Sequence, residues 1–244
     1  MSGHSHASTV KHKKDVEDQK RGKIFSKLSK AIYVAIKTGG GNDPETNYKL
    51  RMAIDAAKQA NMPKANIERA LSKGEESGDL VEMTYEGFGP DGINILIDTA
   101  TDNRNRTSQE VGGILERGGG RLAGPGAVSY NFDIVGNFLI EKKSNTDEQI
   151  LSLIDLGAED VEEVKEGVDV YVSLNDFGVY RDKLKENGQK ILSSGMVKKP
   201  KVTEMIRDQK KAQKLLKLLN DLDDHDDVQG VYTNADIDDE VSGS

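Results

Sequence analysis

The chain has 244 residues, no cysteine and no tryptophan, with 31% charged against 35% hydrophobic residues and a formal net charge of −8. The missing cysteine excludes disulfides, thiolate nucleophiles, iron–sulfur clusters and sulfur-ligated zinc, and an aromatic content of 5% leaves few platforms for stacking bases. Charge is divided unevenly: residues 1–75 hold 15 Lys or Arg against 8 Asp or Glu, whereas residues 76–244 hold 19 against 34, and a basic third joined to an acidic remainder points to a polyanion partner.

Residues 1–14 lack apolar periodicity and carry Lys11, His12, Lys13 and Lys14, so they read as a basic arm. A helix is expected from Val16 to Lys37, stopped by Gly39-Gly40-Gly41. At 100° per residue, Ile24, Phe25, Leu28, Ile32, Ala35 and Ile36 share one face. Lys20, Lys23, Lys27, Lys30 and Lys37 share the other, as a row of ammonium groups suited to a phosphate backbone or to solvent. The longest apolar run, Ala31 to Ile36, falls far short of the about 20 residues that a membrane span needs. The first residues also lack the apolar core of a secretory signal, and the expectation is a soluble cytoplasmic protein.

A second helix is expected to open at Asp43-Pro44-Glu45 with Leu50, Ile54 and Ala57 inward. A third should run from Pro63 to a stop at Gly74, completing a three-helix unit. The period changes to two near residue 80: strands are expected at 83–88 and 93–98 around the turn Gly89-Pro90-Asp91-Gly92. Thr107-Ser108-Gln109-Glu110 matches a capping box and is expected to open a helix, with a strand at 127–132 after it. Residues 137–200 read as strand, helix, two strands, helix, strand, the ferredoxin-like plan. A helix over 204–222 and a strand over 228–233 are then left without partners unless they complete the sheet begun at residue 83. The expected fold is therefore α+β and multidomain: a helical N-terminal domain followed by two α/β ferredoxin-like sandwich domains, one inserted in the other. The expected boundaries are 1–78, 79–134 with 203–240, and 135–202, with an acidic frayed tail from Asp236.

Catalytic signatures are scarce. There is no P-loop and no G-x-S-x-G elbow. Gly118-Gly119-Gly120-Arg121-Leu122-Ala123 matches a dinucleotide string but follows a helix and precedes a strand, the reverse of that site's context. His4, His6 and His12 have no carboxylate at ligand spacing, and His225 lies in an acidic run expected to be a solvated loop. In Thr101 to Thr107, Arg104 and Arg106 precede the expected helix start. They suit either a phosphate contact or ion pairs with Asp98, Asp102 or Glu110.

Gly3-His4-Ser5, Lys11 to Lys14, Lys20-Arg21-Gly22-Lys23-Ile24-Phe25, Gly39 to Gly41, Asn61-Met62-Pro63-Lys64, Ile67 to Ala70, Tyr85 to Pro90 and Thr101 to Thr107 together resemble the YebC family. That family includes the mitochondrial translational activator of cytochrome oxidase. The resemblance spans nearly the whole chain. It implies three domains and a cytoplasmic, non-enzymatic protein labelled a probable DNA-binding transcriptional regulator, with members also tied to the ribosome. One departure is that His6 and Ala7 stand where the family arm usually has Lys and Trp, which removes a cation and a stacking ring.

Three functions follow as expectations. A DNA-binding transcriptional regulator comes first, and a ribosome-associated translation factor contacting rRNA or tRNA is the alternative. An adaptor working through the acidic body is the third. The expected nucleic-acid contacts are Lys11, His12, Lys13, Lys14, Lys20, Arg21, Lys23, Lys27, Lys30, Arg104 and Arg106. No catalytic residue, metal, cofactor, membrane or small-molecule substrate is expected.

Overall fold

The computed structural model describes residues 18–76 and 80–238, with side chains from 22 to 74 and from 80 onward. Lys11, His12, Lys13, Lys14 and the other arm residues lie outside the described residues. So do the side chains of Lys20 and Arg21, whose backbone belongs to the first helix.

Three helices come first: α1 (Asp18–Thr38), α2 (Tyr48–Gln59) and α3 (Lys64–Glu76). Their shared core holds Ile32, Ala35, Ile36, Leu50, Ile54, Ala57, Ile67 and Ala70, with Phe25 and Leu28 packed against it. Ile24, expected on this face, is 38% exposed. The start of α2 differs from expectation. Asp43 makes a turn instead, accepting from the Glu45 N–H at 2.9 Å, and the helix begins four residues on, where buried Asn47 accepts from the Leu50 N–H. The Asn47 amide also donates to the Ala35 and Gly41 carbonyls at 2.8 and 2.6 Å. One side chain thus caps α2 and ties it to the end of α1, an arrangement that Asp43 cannot reproduce. Gly74 does not stop α3, which continues to Glu76. A side chain there would run into Ile36 and Tyr33 of α1, so Gly74 serves close helix packing.

The second unit begins with the hairpin β1 (Val81–Phe88) and β2 (Asn94–Thr101), followed by α4 (Arg104–Arg117) and the short β3 (Arg121–Ala123). It resumes after the inserted unit with β8 (Glu204–Ile206), α7 (Gln209–Asp223), β9 (Val228–Thr233) and β10 (Ala235–Ile237). The sheet order is β3-β1-β2-β9, so the strand at 228–233 does return to the sheet begun at residue 81. Helices α4 and α7 cover one face of this sheet through Val111, Leu115, Ala212, Leu215, Leu218, Leu219 and Leu222.

Four local expectations are corrected here. Residues 204–206 form a strand rather than the first turn of a helix. They pair in parallel with Ala235–Ile237, which is ordered strand rather than frayed tail. Helix α4 starts three residues before the capping box, because Asn103 accepts from the Arg106 N–H at 3.1 Å. Residues 127–131 are not a strand: the buried Glu86 carboxylate gathers that loop by accepting from the N–H groups of Gly126, Val128 and Ser129 at 2.7, 2.7 and 2.9 Å.

Between them lies the inserted unit: β4 (Phe132–Ile140), α5 (Thr146–Asp155), β5 (Asp160–Val164), β6 (Gly167–Val172), α6 (Phe177–Glu186) and β7 (Ile191–Pro200). Its antiparallel order β5-β6-β4-β7 is the ferredoxin-like arrangement. Phe138, Ile140, Leu153, Val168, Val170, Val172, Phe177, Tyr180 and Leu184 form its core. The molecule is thus an α+β protein with a helical N-terminal region followed by α/β units.

Burial would raise the Glu86 carboxyl, but its three backbone donors outweigh that and hold it below the usual range. Replacing Glu86 with Gln puts an amide donor against backbone donors. The expected cost is about 2 kcal/mol, read as a lower midpoint in denaturant unfolding with unchanged far-UV circular dichroism.

Candidate nucleic-acid interface

Lys23, Lys27 and Lys30 follow one another at spacings of four and three, which aligns them along a single face of α1. The structure brings that face against the end of α7 and the loop after it. Helix C-termini leave carbonyls without intrahelical donors and carry partial negative charge, and here the run Asp223-Asp224-His225-Asp226-Asp227 adds carboxylates. The Lys23 ammonium reaches the Asp224 carbonyl at 3.5 Å. Lys27 donates to the Asp223 carbonyl and lies 3.3 Å from its carboxylate. Lys30 donates to the Asp226 carbonyl at 3.0 Å and to Asp227 Oδ1 at 2.6 Å. Three members of the basic row are therefore engaged within the chain. Lys23 is exposed, while Lys27 and Lys30 are half-buried.

Asp227 is the centre of this junction, with a side chain only 5% exposed. Lys30 occupies its Oδ1, while Arg106 at 3.0 Å and the Thr107 hydroxyl at 2.7 Å donate to its Oδ2. Its carbonyl accepts from the Ala100 N–H at 2.8 Å. Burial would raise this carboxyl, but the hydrogen bonds from Lys30, Thr107 and Arg106 outweigh it and hold the group far below the usual carboxylate range. The acidic run is thus not the solvated loop expected from sequence. Its last residue is buried and its His225 is partly so.

Arg104 and Arg106 both lie in the first turn of α4 rather than in a loop before it. Arg106 pairs with Asp102 at 2.9 Å and Asp227 at 3.0 Å, and approaches Glu110 at 4.0 Å. The Arg104 side chain is exposed and has no ion-pair partner among the described residues. Its carbonyl accepts from the Tyr85 hydroxyl at 3.1 Å.

Glu110, His225 and Asp227 bring ligand-type atoms within 4.8 Å of one another. His225 Nδ1 accepts from the Asp227 N–H at 3.1 Å, which leaves the ring proton on Nε2 to donate to Glu110 at 2.8 Å. With both Asp227 oxygens already held by cations and a hydroxyl, the cluster is an internally neutralised ion network. Asp227, Thr107 and His225 were not singled out from sequence as site residues. The signal for Asp227 and His225 is an acidic run placed directly after a helix, and that for Thr107 is the capping box it opens.

The chain matches the model of the TACO1/YebC protein N-terminal domain over residues 5–77 and that of the TACO1/YebC second and third domain over residues 80–235. It is 46% identical over 248 residues to a probable transcriptional regulatory protein of Dictyoglomus turgidum, covering 99% of this chain and 98% of that one. A protein of the same description from Geotalea uraniireducens is 46% identical over 243 residues, covering 98% of each. The crystal structure of a conserved hypothetical protein from Aquifex aeolicus superposes with a TM-score of 0.89 at 40% identity, covering 98% of this chain and all of that one.

Replacing Asp227 with Asn removes the charge that Lys30 and Arg106 face. The expected loss is about 3 kcal/mol, measured as a lower thermal midpoint together with faster proteolytic release of the helical unit. A group held below its unfolded pKa stabilises above the unfolded value and loses that contribution as pH falls. In wild type the Asp227 contribution should be complete above the ordinary aspartate value of 3.8 and shrink as pH falls below it. The Asn variant should lack that part of the acid dependence.

Proposed function

The chain belongs to the TACO1/YebC family, and from that premise we propose that it is a non-enzymatic, nucleic-acid-binding regulator of gene expression, acting on DNA in transcription. Relatives named probable transcriptional regulatory proteins align with it end to end, which supports the regulatory reading. The observation that carries the nucleic-acid part is the division of labour along α1. Lys27 and Lys30 dock the helix on the acidic body, whereas the row continues toward the N-terminus through exposed Lys23. Arg21, Lys20 and the arm residues Lys14, Lys13, His12 and Lys11 precede that point in the chain.

In this reading the docked lysines aim the helix, and the cations before them, with exposed Arg104 as an outlying contact, meet the phosphate backbone. Arg106 serves mainly to hold Asp227. The units carrying the function are those bounded at 1–78, 79–134 with 203–240, and 135–202. No cofactor, catalytic residue or small-molecule substrate enters, and the protein works in the cytoplasm. No helix among the described residues is long and apolar enough to cross a membrane.

A second reading, a ribosome-associated translation factor contacting rRNA or tRNA, is favoured by the kind of residue involved. A row of lysines addresses phosphates and shape rather than base edges. Helices α2 and α3 do turn tightly at Asn61, which holds a φ of 57°. However, the outer face of α3 pairs Lys64 with Glu68 at 3.6 Å and Arg69 with Asn66 at 3.5 Å, which is a poor start for base readout.

Reversing Lys20, Arg21 and Lys23 to Glu should weaken binding to a random DNA duplex at least ~30-fold and make its salt dependence shallower, since with each lost phosphate contact fewer counterions are released, with only a small fall in the unfolding midpoint from the long Lys23 contact with Asp224. Reversing Lys27 and Lys30 should lower the midpoint as well. If the first variant binds like wild type with the same salt slope, the arm-and-helix reading fails. Sedimentation of lysate with and without nuclease separates the two partners. Persistence on trimmed monosomes supports the ribosome, and absence from ribosomes with preference for promoter over random DNA supports transcription.

A further inference from the structure

The acidic body carries one exposed basic surface that the junction with α1 does not use. On α7, Ala212, Leu215, Leu218, Leu219 and Leu222 face the sheet. At 100° per residue, Lys210, Lys214 and Lys217 then fall within about 60° of one another on the exposed flank. Lys214 lies against Gly119, where a side chain would collide with its ammonium group, and Gly118 packs against Leu218. The turn Gly118-Gly119-Gly120 therefore rests on α7 and brings Arg117, the last residue of α4, beside that helix.

Arg121, on the other side of the turn, lies apart from this surface: it is in register with Phe88, its guanidinium 4.7 Å from the centre of that ring, on the sheet face opposite α4 and α7. Arg117, Lys210 and Lys214 are exposed and have no ion-pair partner among the described residues. Lys217 shares its charge with Asp221 at 3.2 Å. Lys210 and Lys217 are seven residues apart, a rise of about 10 Å, which matches about three nucleotide steps along one strand. The same helix ends on Lys23 and Lys27 of α1, so both basic surfaces border one element.

We infer that Arg117, Lys210, Lys214 and Lys217 form a second phosphate-backbone contact, which extends along α7 the path of a nucleic acid held by the arm and α1. This rests on the nucleic-acid reading proposed above. The turn needs glycine because Gly119 holds a φ of 83° and a side chain at Gly120 would meet the Phe88 carbonyl, and the contact is sequence-independent because every member is a cation facing solvent with no groove-reading partner.

The test is a four-residue neutral variant of the full chain, R117Q/K210Q/K214Q/K217Q, titrated against a labelled random-sequence DNA duplex over a range of salt. Loss of four phosphate contacts should weaken binding ~tenfold or more at moderate salt and reduce the slope of log Kd against log salt by about 3, with an unchanged thermal midpoint. A control variant, K143Q/K165Q/K185Q/K190Q, removes the same charge from exposed positions on the inserted unit and should leave the slope as in wild type. If both variants lose equally, the effect is net charge and the surface is not a contact. If the first variant binds like wild type while the Lys20, Arg21 and Lys23 variant does not, the α7 surface is overturned and the function stands. If wild type binds neither this duplex nor a labelled single-stranded RNA, both readings are overturned.

Discussion

A carboxylate taken out of water must find cations and donors or it will not stay ionised, and Asp227 meets that constraint by recruiting from separate parts of the chain. Lys30 comes from the helical region, Arg106 and Thr107 from the first turn of α4, and the Ala100 N–H from β2 holds the residue's carbonyl. Thr107 also bonds Thr101 at 2.7 Å, so the start of α4, the end of β2 and the loop after α7 are fixed together. Removing one partner strands the others, which makes this a cooperative junction rather than a set of surface pairs.

The same logic recurs on the other side of the middle unit. Lys198 of β7 reaches Asp98 of β2 and lies 3.1 Å from the Thr84 hydroxyl, with the Tyr232 ring 5.7 Å away. Lys199, its neighbour, turns instead to Asp160 and Glu162 within the inserted unit. The middle unit thus accepts ammonium groups from both flanking units. Part of the negative charge of residues 76–244 is a receiving surface for the chain's own lysines. That weakens the adaptor reading in which the whole acidic body faces a partner, because its buried Asp227 carboxylate is already matched.

Elements with strong periodicity were legible in the sequence. The three amphipathic helices, the hairpin around residues 89–92, the ferredoxin-like order and the return of residues 228–233 to the first sheet all follow from patterns of 3.6 and 2. The misplaced ends have a common cause. Asp43 and Thr107 satisfy local capping rules, but Asn47 wins because its side chain also bonds the end of α1, and Asn103 because its backbone N–H is held by the Thr101 hydroxyl at the end of β2. The strand expected at 127–132 fails because Glu86, distant in sequence, supplies an acceptor to two of its amides and to that of Gly126 just before it. A one-dimensional pattern cannot register a donor's partner forty residues away.

The candidate site was legible as residue types and not as pairings. A lysine row at helical spacing fits any linear array of anions, and a phosphate backbone is one such array. An acidic run capping the negative end of a helix is another. When the remainder of a chain is as acidic as this one, some of its carboxylates compete for the row before any external partner arrives. The half-buried Lys27 and Lys30 went to that competitor. What stays available to a nucleic acid is then set by how far the row extends past the internal contact, and by cations such as Lys214 and Arg117 that the fold leaves unpaired. Net charge has the wrong sign for the nucleic-acid partner proposed above; what suits that partner is the placement of the cations that stand outside internal pairs.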